Sequence, residues 1–104
     1  MFNGRNLSGW VPCNIDDATF FVRDGVLVTT GKPIGTIRTE TMYENFIIDF
    51  EWRHMKKGGN SGLFIWAVGV PAVGSPFSNG IEIQILDPGF NVPGNNEWYS
   101  THGD

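Results

Sequence analysis

The chain is poor in cysteine, in clustered basic residues and in long apolar runs, and each scarcity closes off a class of function. Cys13 is the single cysteine. It permits neither an intramolecular disulfide nor a Cys-based zinc site, and packing is its expected role. Lys56-Lys57 is the only adjacent basic pair, and the formal net charge is −4. That balance argues against nucleic-acid binding by phosphate neutralisation. No stretch approaches the roughly 20 apolar residues of a membrane span. The first residues, MFNGRNLSGW, lack the basic and apolar regions of a signal peptide, so no leader is expected within this chain. No long window repeats at the helical period. The best helical expectation is one turn around Thr41 to Asn45.

What is present favours strands. The 104 residues suit a single domain, 1–104, with 40% hydrophobic and 17% charged residues. Glycine (14) and proline (6) make up a fifth of the chain, rich in turns but below the roughly 25–30% of disordered chains. Four Trp and eight Phe add strand-forming aromatics. Short apolar runs separated by turn residues predict an all-β sandwich or barrel. Phe20–Arg23 and Val26–Thr29 flank Asp24-Gly25, a strong hairpin signal. Further strands are expected over Ile34–Arg38, Phe46–His54, Gly62–Val68 and Ile81–Leu86. Another begins at Trp98-Tyr99-Ser100-Thr101. The sequence ends at Asp104 before anything closes a sheet, so the domain reads as truncated.

The polar faces carry the candidate chemistry. In Phe46–His54, Ile48, Phe50 and Trp52 share one parity and Asp49, Glu51 and Arg53 the other. In Ile81–Leu86, the isoleucines take one parity, expected in the core, and Glu82 and Gln84 take the other. On one sheet these polar residues would line a surface suited to hydroxyl-rich ligands and acid–base work. An ordinary solvated face with a Glu–Arg pair is the plainer alternative. GGNSG, Gly58 to Gly62, is no serine elbow, because Leu63 stands where a glycine is required; its glycines let the chain bend into a strand, and Asn60 offers an amide there. His102, two residues before Asp104, would orient a carboxylate or join a metal, or simply sit in a surface turn. His54 reads as a solvated edge residue. Gly31–Gly35 is not a phosphate loop, for GK[ST] is absent. Asn6-Leu7-Ser8 fits the short glycosylation pattern. The tryptophans Trp10, Trp52, Trp66 and Trp98 would stack on sugars or pack in the core.

Several motifs in order resemble the 3-keto-disaccharide hydrolase family, long catalogued as a domain of unknown function. They are FNGRNLSGW after Met1, DGVL at Asp24–Leu27, Tyr43-Glu44-Asn45-Phe46 with Glu51-Trp52-Arg53, GGNSG, and G-x-E-x-Q-I-L-D at Gly80–Asp87. Met1 replaces a usual Leu, and Trp66 stands where a more polar residue is common. The resemblance covers about the first half of such a domain. It implies a jelly-roll β-sandwich of the concanavalin A/LamG-like type and a carbohydrate substrate already oxidised at C3. The activity would be hydrolase or lyase cleavage by C2 deprotonation and elimination of the aglycone; a lectin-like module without catalysis is the competing reading. Glu82 is the expected base or metal ligand, and His102 a proton donor or second ligand. Glu51, Arg53, Asn60, Gln84 and Asp87 would bind substrate. A divalent metal fits this chemistry and a nucleotide cofactor does not. A periplasmic or secreted location is implied, as is self-association through open sheet edges.

Overall fold

Asp24 and Gly25 both hold positive φ, 52° and 78°, the backbone of a type I′ turn whose twist matches the flanking strands. The turn joins β2 (Phe20–Arg23) to β3 (Val26–Thr29) in antiparallel register, with Arg23 opposite Val26 and Phe20 opposite Thr29. The computed structural model describes residues 1–87, 89 and 90 and contains strands but no helix among them. Before the hairpin lies β1 (Trp10–Cys13) and after it β4 (Thr36–Thr39); these two pair antiparallel, Trp10 opposite Thr39. Two longer strands follow, β5 (Asn60–Val68) and β6 (Asn79–Leu86), which pair with each other. Among the described residues the result is three two-stranded sheets. Among the described residues no helix is long and apolar enough to cross a membrane.

The chain divides into two compact units, Met1–Glu44 with Val68–Asn79, and Asn45–Ala67 with Gly80 onward. In the first, Thr19 is fully buried and all its polar groups are engaged. Its hydroxyl donates to the Lys32 carbonyl (3.0 Å) and accepts from the Asp16 N–H (3.1 Å). Its own N–H meets the Asp16 carbonyl, and its carbonyl meets the Thr30 N–H, each at 2.9 Å. One side chain thus ties the turn before β2 to the chain after β3. Cys13, at the end of β1, is buried as expected of a packing residue. This unit also holds a half-open, largely apolar pocket of about 210 Å³, whose lining includes Trp10, Ile15, Phe20 and Ile37. None of the candidate site residues lines it.

Three expectations need correction. Phe46–His54 belongs to none of the sheets formed among the described residues. Alternation marks which residues would share a face, but a strand also needs a neighbouring backbone in register. The segment is instead fastened by side chains near its ends. Phe46 packs against Trp66, ring centroids 5.9 Å apart, and His54 Nε2 lies 3.0 Å from the Ile85 carbonyl. The turn at Thr41–Asn45 is a bend rather than a helical turn. The isoleucines of β6 are not a buried row: Ile81 is 56% exposed, Ile83 and Ile85 are half-buried, and the buried residue is Leu86 on the opposite parity. A two-stranded ladder is too narrow to cover either face alone. The expected strand at Trp98–Thr101 lies outside the described residues.

Replacing Thr19 with Val should keep the volume but remove two hydrogen bonds, those to the Asp16 N–H and the Lys32 carbonyl. A loss of about 1–3 kcal/mol is expected from urea unfolding; an unchanged midpoint would show that the hydroxyl does not tie these segments.

Candidate functional site

The site is built by a missing side chain. At one end of the β5–β6 pair the Asp87 N–H donates to the Gly59 carbonyl (2.9 Å); at the other, Gly80 lies against Ile65 and Ala67. The strands are therefore antiparallel. A Cβ at Gly62 would collide with the carboxylate of Glu82. The Glu82 side chain lies across β5 in the notch that Gly62 leaves, which puts the two residues on one face. Alternation then places Asn60 and Phe64 with Gly62, and Gly80, Gln84 and Leu86 with Glu82. Asn60, Glu82 and Gln84 accordingly share a face.

Half-burial against β5 pushes the Glu82 carboxyl up from its ordinary value, because the charged form loses hydration. Gln84 Oε1 accepts a hydrogen bond from the Ile85 N–H at 3.1 Å, which leaves its NH2 group as the donor for a ligand. Asn60 is exposed at the start of β5.

Asp87 is placed differently. Its Oδ2 accepts the Gly58 N–H (2.9 Å) and its Oδ1 the Gly89 N–H (2.8 Å). These two backbone bonds hold its carboxyl below the usual aspartate range, with smaller help from the charges of His54 and Lys57. Asp87 thus clamps the loop before β5 to the turn after β6. His54 reinforces this end. Its ring occupies the space over Gly59, where any Cβ would strike it, and meets Trp52 edge-on at 5.2 Å. The expectation of a solvated edge residue at His54 is corrected: it is half-buried and bonded to β6. The signal for it was GG at Gly58-Gly59, which reads as a bend in the sequence and is also room for a ring.

Glu51 and Arg53 are exposed on the unpaired segment, so no ladder carries them to the Glu82 face as one sheet would have done. His102 lies outside the described residues. Among the described residues no three His, Cys, Asp or Glu side chains converge as a metal centre would need.

Strands joined only to strands, with a half-buried carboxylate and two carboxamides on one face of the β5–β6 pair, define an all-β protein among the described residues. The chain belongs to the family of the 3-keto-alpha-glucoside-1,2-lyase-like domain, whose model matches residues 1–103. No curated protein and no solved structure matches it.

Two predictions follow from the geometry. Gly62→Ala should drive the Glu82 carboxylate out of its notch into water and return its titration toward the ordinary glutamate value, read by carboxyl NMR; an unmoved titration would show that the notch does not desolvate it. Asp87 behaves oppositely. Its folded pKa is depressed, so its contribution to stability is full at neutral pH and fades as pH falls from about 5 through its folded value. Asp87→Asn should therefore lower stability near pH 7 and flatten the acid limb of a stability–pH curve; parallel curves for the two proteins would refute the clamp.

Proposed function

We propose that this domain cleaves 3-keto-glycosides by elimination, with Glu82 as the base that removes the C2 proton. The observation that carries the reading is the half-buried Glu82 carboxylate on a rigid strand, its proton affinity raised by burial. Membership of a family named for 3-keto-α-glucoside lyase chemistry supplies the substrate class. A raised carboxyl pKa makes a stronger base toward a carbon acid.

The chemistry follows from the ketone. A carbonyl at C3 acidifies the hydrogen on C2. Glu82 takes that proton, and the C2–H electron pair enters the enolate. The enolate re-forms the ketone as the C1–O bond breaks, so the aglycone oxygen leaves with its electron pair and gains a proton. The products are a C1=C2 unsaturated 3-ketone and the free aglycone alcohol; water adding across the double bond completes a hydrolysis. Asn60 and the Gln84 NH2 group would bind sugar hydroxyls on the same face. Glu51 and Arg53 would reach the substrate only if the segment 46–54 approaches that face. Asp87 contributes chiefly by fixing the end of β6, and His102 is the proposed proton donor to the leaving oxygen. A divalent metal would draw on Glu82 and His102. A concanavalin A-like jelly roll is the proposed parent architecture of these paired strands.

Glu82→Gln keeps the shape and removes the base. Aglycone release from a 3-keto-α-glucoside should fall by about 10²–10⁴-fold, and the acid limb of the wild-type kcat/KM profile should lie above the ordinary glutamate pKa. Full activity in the variant would remove Glu82 from the role. Binding of the unoxidised glucoside without any turnover of the 3-keto form would instead identify a lectin-like module.

A further inference from the structure

Within β5, Trp66 holds φ at +49°, the left-handed region that bulky side chains rarely enter. Such strain persists only where neighbours over-determine it, and it gathers at ligand clamps. Two neighbours do so here. The first is Gly80: a Cβ there would stand 2.8 Å from Ala67 Cα and 2.9 Å from the Ile65 carbonyl oxygen. The kinked β5 therefore leans into the space that Gly80 leaves, and no other residue fits opposite the kink. The second is Phe46, whose ring packs on the indole at a 53° tilt.

The position of the kink gives it meaning. Gly80 precedes Glu82 by two residues and shares its face, so the leaning β5 backbone forms a wall at that end of the carboxylate's surface. At this wall Trp66 as a residue remains 59% exposed. Regular pairing of β5 with β6 requires no left-handed residue, and a packing tryptophan would be more deeply covered. The strained geometry is spent on presenting an aromatic face.

We infer that Trp66 is the stacking platform for the leaving group of the glycoside, an assignment that rests on the elimination proposed above. Gly62, beneath the Glu82 carboxylate, lies four residues before Trp66 in β5, roughly 13 Å at about 3.3 Å per residue. That separation suits the ring beyond the reacting one. An indole face receives the apolar C–H face of a pyranose and gains little from a short alkyl group. The platform thus selects cyclic, sugar-like aglycones over small alkyl ones.

The test compares a 3-keto disaccharide with its 3-keto methyl α-glucoside counterpart. The ratio of their kcat/KM values should fall about tenfold in Trp66→Ala and Trp66→Gly, chiefly through KM, and be largely retained in Trp66→Phe. Glycine accepts positive φ freely, so Trp66→Gly should be at least as heat-stable as Trp66→Ala, separating loss of the ring from loss of the fold. Trp66→Leu, apolar but not flat, should lose the ratio as well. An unchanged ratio in the Ala, Gly or Leu variant would overturn the platform. A second arm needs no turnover: in Glu82→Gln, trehalose should shift the Trp66 indole N–H resonance more than methyl α-glucoside does, and equal shifts would overturn the assignment. If the wild type turns over neither 3-keto sugar while trehalose still shifts that resonance selectively, the elimination falls and the platform stands. If turnover is present but the ratio ignores Trp66, the platform falls and the elimination stands.

Discussion

The arrangement of the site depends on one exclusion: Glu82 and any side chain at position 62 cannot occupy the same space. Because Gly62 yields it, the carboxylate lies against the strand instead of standing in water. From that follow its partial dehydration, its raised proton affinity and its place over Gly62 on the face shared with Gln84 and Asn60. The same economy recurs at Gly59, which admits the His54 ring, and at Gly80, which admits the kinked backbone. Along β5 and β6, the positions without side chains decide where the chemical groups go.

Much of this was legible in the sequence, and the reasons differ by element. The β2–β3 hairpin was readable because Asp-Gly encodes a turn conformation locally. β5 and β6 were readable because alternation and flanking glycines agree. The grouping of Asn60, Glu82 and Gln84 on a single face followed from period-two counting once the strands were paired. The family was also recognisable from its ordered motifs, and the model match over residues 1–103 bears that out.

What stayed hidden required a partner to be known. FIIDFEWRH alternates over a long stretch, yet alternation cannot state whether a neighbour's hydrogen-bonding edge is present, and the segment joins no sheet among the described residues. His54 looked peripheral because its anchor, the Ile85 carbonyl, is 31 residues away in sequence. Asp87 looked like a ligand residue because a carboxylate at a strand end often is one; only its distances to two backbone amides reveal the clamp. The positive φ of Trp66 has no signature in its residue type at all.

The Asp87 clamp also makes the β5–β6 pair mechanically lopsided. Near Gly59 the strands are riveted by backbone bonds on both sides of a single carboxylate and by the His54 ring. Near Trp66 the β5 backbone enters the left-handed region, and the indole meets the Phe46 ring. The two ends of one strand pair are thus fixed by different means, a carboxylate bridging two backbone amides at one and the space left by a glycine at the other. Disturbing Asp87 and disturbing Gly80 are therefore different injuries, the first to polar fastening and the second to packing.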